Sequence, residues 1–465
     1  MQATAKRWLV AIAGATAMAS PAWAARDMCR ILKDKGILDD LEYNECQAAQ
    51  EKEEVKAETK TTDTLKAKLP AWLDKITPIG DVRFRQEGFY EEGANANNRF
   101  RIRARVGLAV KLSEELESAF RIATGNPNDP ISTNQTLSNT FDPTDINLNW
   151  AYITIKPGKT FGIRPGLFSI TGGRFENPAY RVSELVWDDD LTPEGGTQTV
   201  TFYESKEGFF RNARLNVFEY TVDQISSASD PWMFGGQGVV DTAFGSTANW
   251  TVAFADYSWQ DMNAVAKKYL NASSSDYNKQ LANSNSVVKD ANGNIIAYEY
   301  GFNLVNVSTE LNFPNPVGLG IPAGLFGELV NNTQADTRNT GFALGAGIGR
   351  ARKGYYTNRL RERGDWGASY TYEWVEKDAT FSMFSYSDIN YDQSNASQKG
   401  STNVTAHILR GDYMLLNNLQ LTAKFHFINA LDLQDSVAYN PSNPSKSLSG
   451  NPTLTRMQLD AVLRF

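Results

Sequence analysis

Arg99, Arg101, Arg103 and Arg105 occupy every second position of the run Arg99-Phe-Arg-Ile-Arg-Ala-Arg-Val-Gly-Leu-Ala-Val-Lys-Leu112. Two is the period of an extended strand, so the guanidiniums share one face, and Phe100, Ile102, Ala104, Val106, Leu108, Val110 and Leu112 share the other. Arg83 and Arg85 repeat the spacing just upstream. A guanidinium stays charged at any physiological pH, so on a lumen wall this ladder would create positive potential that favours phosphate, sulfate or organic acids over cations, without making or breaking bonds. The plainer reading is an internal charge network in which the same arginines pair with Glu87, Glu117 and Asp460. Both readings stay open at this point.

A second charged group, Arg174, Glu176, Arg181, Glu184, Asp188, Asp189, Asp190 and Glu194, falls within residues 171–196. Folded against the ladder, its carboxylates would narrow the space between them and set up a transverse field that orients polar solutes. Facing outward, the aspartates would instead hold a divalent cation or bridge lipopolysaccharide. They lack the spacing and glycine of an EF-hand loop, and no dedicated metal site is expected.

Bond-making chemistry has little to work with. His407 and His426 are the only histidines, and no serine in a nucleophile-elbow sequence accompanies them, which leaves an outer-membrane hydrolase as the weakest reading. Two cysteines exclude zinc clusters and CxxCH haem attachment, so no cofactor is expected. A net charge of −7 gives no electrostatic footprint for nucleic acid.

The elements that must carry these residues are strands. Beyond the first twenty-odd residues of this 465-residue chain there is no apolar run of the roughly 18 to 20 residues that a transmembrane helix needs. Alternation returns in Trp366 to Trp374, Leu419 to Phe427 and Thr455 to Phe465. Short connections at Ser113–Leu116, Pro157–Thr160 and Asn417–Asn418 alternate with long polar ones at 126–145, 171–196, 259–297, 377–400 and 430–452. Trp72, Trp150, Tyr152, Trp250, Trp366, Trp374 and Tyr413 fall near strand ends. Long alternating strands, one-sided short turns and aromatic girdles distinguish a membrane barrel from a soluble sandwich.

The fold expected is therefore all-β, a transmembrane antiparallel β-barrel of about sixteen strands. These lie near 79–90, 99–112, 116–125, 146–156, 161–170, 197–205, 208–218, 237–245, 248–258, 298–311, 322–332, 341–350, 364–376, 402–415, 418–429 and 453–465. Thr380–Ser387 is placed in a loop because a seventeenth strand would break the even count of bacterial barrels. The strand at 402–415 loses its alternation around Leu409 to Gly411, which predicts a bulge there. His426 is expected to face the lumen, with His407 beside it. A barrel of this size encloses an aqueous channel.

The chain start reads as an address. Lys6 and Arg7, the apolar stretch Trp8–Met18 and Ala22-Trp23-Ala24 form a secretory signal over 1–24. Residues 25–69 read as a short α-helical, charged periplasmic segment before the barrel at 79–465. Across its hairpin Cys29 and Cys46 can pair in an oxidising compartment, or remain two structural thiols.

The terminal Leu459-Asp-Ala-Val-Leu-Arg-Phe465 resembles the end signal that outer-membrane barrels present to the barrel assembly machinery. Gly173-Arg-Phe-Glu-Asn-Pro-Ala-Tyr180, Leu185-Val-Trp-Asp-Asp-Asp190 and Pro193-Glu-Gly195 are similar to the loop segment of the "putative porin" family of Gram-negative outer-membrane proteins. The resemblance runs over most of 79–465. It implies passive diffusion of small hydrophilic solutes through a general or anion-preferring channel in outer-membrane lipid and lipopolysaccharide, with a homotrimer among the assemblies it implies. A different class of function is a barrel sheath around a partner such as a multihaem cytochrome, which would need a wide lumen free of inward loops.

Overall fold

The computed structural model describes residues 73–91, 95–138, 140–226, 228–351, 354–356, 358–391, 400–432 and 452–465. The signal, the charged segment and Cys29 and Cys46 lie outside the described residues. Sixteen antiparallel strands form one closed sheet: β1 (Ile76–Tyr90), β2 (Asn97–Lys111), β3 (Leu116–Thr124), β4 (Ile146–Ile155), β5 (Phe168–Arg174), β6 (Glu194–Glu204), β7 (Phe210–Thr221), β8 (Trp232–Phe244), β9 (Ala248–Gln260), β10 (Phe302–Phe313), β11 (Ala323–Asn332), β12 (Thr340–Gly349), β13 (Trp366–Val375), β14 (Val404–Leu416), β15 (Leu419–Ala430) and β16 (Leu454–Arg464). Closure runs through β1 against β16, with Asp81 opposite Arg464 and Tyr90 opposite Thr455. No edge remains unpaired, as a lipid-spanning sheet requires.

The sheet is apolar outside and polar inside. Phe84, Phe100, Val106, Leu108, Phe120, Ile153, Phe254, Leu325, Leu344, Leu421 and Leu459 are exposed on the outer wall, and Arg85, Glu87, Arg103, Arg105, Gln420, Gln458 and Asp460 are buried on the inner one. An arginine turned to the lipid midplane would cost about 2–4 kcal/mol, so the alternation fixes the face. Trp250, Trp366 and Tyr413 are exposed outward.

Four expectations change. Gly158–Phe161 forms a helical turn stopped at Gly162, whose φ of 65° favours glycine, so the fifth strand starts at Phe168 and not at 161. The eighth strand begins at Trp232, five residues earlier than expected. Around Leu409–Gly411 the register against β13 and β15 is unbroken, and the shift lies at Met414/Leu416; Gly411 simply adds nothing to the outer face. A bulge between Arg121 and Ile122 opposite β4 keeps Trp150 and Tyr152 off the outer girdle. Trp150 lies under the Arg121 guanidinium, 3.2 Å from its ring centre, and Tyr152 packs on Phe175.

The largest buried apolar side chains lie within the barrel. Residues 175–193, which join β5 to β6, bring Phe175 and Trp187 against the aromatic inner face of β7–β9. Trp187 sits 5.2 Å from Tyr257 and 5.4 Å from Trp259. Residues 376–391, expected as part of a polar outer loop, are also buried inward, with Phe381 4.7 Å from Phe302. Thr380–Ser387 contains no strand.

Candidate channel eyelet

The ladder is set by register. On the lumen face Asp81 lies opposite Arg105, Arg83 opposite Arg103, Arg85 opposite Arg101 and Glu87 opposite Arg99. Like charges directly opposite one another destabilise a sheet, so this four-arginine centre depends on the acids that flank it. Asp81 accepts from Arg103 Nε at 2.9 Å and Arg105 Nε at 2.7 Å. Glu87, fully buried, accepts from Arg99 Nε at 2.5 Å and from Arg456 Nη2 and Gln458 Nε2 at 2.6 and 2.9 Å. Asp460 takes Arg85 in a two-point pairing at 2.6 and 2.7 Å. Glu117 pairs instead with Lys156, at 2.6 Å.

The 175–193 loop faces this wall. Side-chain acceptors shape it: Asn177 Oδ1 takes the Ala179 N–H, Ser183 Oγ the Leu185 N–H and Asp188 Oδ1 the Asp190 N–H. The far side is pinned by Gln237, which accepts from the Tyr180 N–H and donates to its carbonyl, both at 2.8 Å. Glu328 accepts from the Ser183 hydroxyl at 2.7 Å. On the near side Asp190 Oδ1 receives Arg103 and Arg105, each at 3.3 Å. Asp189 receives Arg181 at 2.9 Å and Arg359 at 3.0 Å.

A cavity of about 280 Å³ lies between loop and ladder. Arg83, Arg85, Arg101, Arg103, Arg105, Glu184, Asp188, Asp189 and Asp190 all line it. Arg99 is drawn aside to Glu87. Arg174 and Glu194 pair with each other at the ends of β5 and β6, away from the cavity. Arg181 stands behind Asp189, and Glu176 acts electrostatically on Arg181 and Arg359. His426 donates to or accepts from the Tyr386 hydroxyl at 2.9 Å in the lumen, whereas His407 is on the outer wall against Tyr370. The two imidazoles face opposite sides of the sheet.

Sequence reasoning missed several lining groups: Arg121, Lys424, Arg410, Arg464 and Asp388. It also missed an entire element. The connection from β12 to β13, at the end of the barrel that holds Ile76 and Phe465, buries Tyr355, Tyr356, Asn358 and Leu360 and brings Asn358 and Arg359 to the cavity. Arg410 donates to the carbonyls of Tyr356 and Asn358 at 2.5 and 2.9 Å, and the Leu360 N–H donates to Gln420 Oε1 at 3.1 Å.

The loop acids divide into two kinds. Burial alone would raise the Asp190 carboxyl, but Arg103 and Arg105 outweigh it and hold it below the usual range. Burial pushes Glu184 well up, with Asp188 beside it adding to the effect, and burial together with the Asp190 charge pushes Asp188 up. Both hold protons in the docked loop that a solvated loop would release. Docking therefore weakens as pH rises from the ordinary carboxylate range near about 4 through the elevated values. Amide exchange at 183–190, corrected for its intrinsic rate, should speed up as the pH is raised above that ordinary carboxylate range, and Asp188→Asn should flatten that rise. A corrected rate that is constant in the wild type would contradict this assignment.

Solved barrels are similar to the chain at low identity. OmpF of Salmonella typhi in complex with daunomycin is 11% identical, with 85% of this chain and 100% of that chain covered and a TM-score of 0.47. OprB of Pseudomonas putida at high pH is 13% identical over 84% of this chain and 95% of that one, with a TM-score of 0.47. The anion-selective porin from Comamonas acidovorans is 12% identical over 84% and 99%, with a TM-score of 0.42. No curated protein matches. The family model described as "Putative porin" matches residues 88–344, more than half of the chain, and the protein belongs to that family.

Proposed function

We propose that the protein is an outer-membrane channel through which small hydrophilic solutes diffuse, with a preference for anions. The observation that carries the preference is the cavity lining, in which ten cationic side chains face seven carboxylates, two of them, Glu184 and Asp188, held toward the neutral form. Charge lining a constriction sets ion selectivity, and low-dielectric walls focus the field. Family membership supports the outer-membrane location and the porin role. The cleaved signal over 1–24, the periplasmic segment over 25–69, folding through the barrel assembly machinery and a homotrimer belong to the same reading. The inward loops weigh against a sheath for a cytochrome, because they occupy the space such a partner would need.

Reversing Arg101 and Arg103 to glutamate should move the reversal potential in a salt gradient toward that of the cation. An unchanged potential, from a variant that still inserts, would remove the ladder from the selectivity mechanism.

A further inference from the structure

The four central arginines are not equally satisfied. Arg85 holds Asp460 at two points, and Arg103 holds Asp81 and Asp190. Among the described residues the one carboxylate within 4 Å of Arg83 is that of Asp460, whose Oδ2 lies 3.9 Å away and is already 2.7 Å from Arg85. For Arg101 that one carboxylate is Glu87, whose Oε2 lies 3.6 Å away and is already 2.5 Å from Arg99. The Nε atoms of both Arg83 and Arg101 are buried without a hydrogen-bond partner.

Register makes this pair diagonal neighbours, since Arg83 faces Arg103 and Arg101 faces Arg85. The β3–β4 connection is drawn over them: Gln135–Thr136 pairs with Arg101 and Ile102 of β2. Asn134 then accepts from Arg83 through Oδ1 and from Arg101 through its carbonyl at 3.5 Å, and Ser132 Oγ accepts from Arg101 at 3.3 Å. Neutral acceptors hold the guanidiniums in place without cancelling their charge. Nearby, Arg121 and Arg464 are also held by amides, Asn149 Oδ1 at 2.6 Å and Gln420 Oε1 at 2.8 Å. Buried cations without full carboxylate pairing are costly, and a doubly charged anion would remove that cost.

We propose that Arg83 and Arg101, held by Asn134 and Ser132, form a binding site for a divalent tetrahedral oxyanion within the eyelet. This deepens the channel reading and rests on solvent reaching the eyelet. The site satisfies the two free Nε donors and two like charges with one ligand, through charge-assisted bonds of the strong kind. A solute held here would slow its own passage and block smaller ions, so the channel is saturable for such anions rather than a simple hole.

Two measurements with sulfate as the probe separate the site from the channel. Titration of refolded, heat-modifiable protein in detergent should show sulfate binding that Arg83→Gln and Arg101→Gln each weaken at least tenfold. Lysine at either position should restore part of the affinity, because the charge returns without the paired donors. In bilayers, sulfate should reduce the chloride current in the wild type, with a half-blocking concentration shifted by a similar factor in both variants. Binding that ignores both glutamine variants, or sulfate that binds no better than acetate at equal ionic strength, overturns the site even if the protein conducts. Sulfate binding of the expected pattern in a protein that passes no current upholds the site and overturns the channel.

Discussion

Replacing Glu87 with alanine is expected to lower the unfolding free energy of the barrel by about 3–5 kcal/mol, the usual cost of removing one partner from a buried charge network. Glu87 is fully buried, and its two oxygens hold Arg99 and Arg456 while Arg101 and Arg85 stand within 3.6 and 3.9 Å. Without the carboxylate, arginines from β1, β2 and β16 would face one another across the seam that closes the barrel. Glutamine should lie between wild type and alanine, because it keeps one acceptor for Arg456 and loses the charge. Urea unfolding in detergent, followed by tryptophan fluorescence and by the heat-modifiable gel shift, measures the difference. A loss under about 1 kcal/mol, the range of an exposed ion pair, would mean that lumen water already screens the network.

The second large effect concerns the 350–365 segment. On the lumen side β12 carries nothing larger than alanine, and the Tyr355 ring lies over its Gly347 and over Gly324 of β11, where an added Cβ would overlap it. The Tyr355 hydroxyl donates to the Gly349 carbonyl at 3.2 Å, and the Tyr356 hydroxyl to Glu373 at 2.9 Å. Gly347→Leu fills the space that the ring needs. Overpacking of this kind costs about 1–3 kcal/mol, and here it is relieved by expelling the segment, which withdraws Arg359 from Asp189. Single-channel conductance should rise, and removing the ring with Tyr355→Ala should produce the same rise, with a loss of stability of its own because the ring is buried. Conductance equal to wild type in both variants would mean that the segment does not narrow the passage.

The sequence made the strands readable because a single physical rule governed them. In β2 the lipid face admits Phe100, Val106 and Leu108, the lumen takes the arginines, and the even count decided that Thr380–Ser387 is not a strand. What lay inside the lumen was less legible. Arg456 and Glu87 are 369 positions apart and meet only because the barrel closes, so no local pattern could pair them. Trp150 was displaced from the girdle by a bulge that its own alternation does not announce. The inward placement of Tyr355 and Tyr356 did leave a trace: Gly341, Ala343, Gly345, Gly347 and Gly349 put a small residue at every lumen position of β12. A wall without side chains needs another element to cover it, and the next residues in the chain do so. His407 was misplaced because a hydrogen bond to Tyr370 lets an imidazole sit on the outer wall.

The proposed channel is a water-filled, anion-preferring passage between the ladder and the 175–193 loop. Recording refolded, heat-modifiable protein in a planar bilayer under a salt gradient tests it most directly. Stepwise conductance is expected, with a reversal potential displaced toward the equilibrium potential of chloride. Membranes that show no current, or a reversal potential on the cation side, would contradict it.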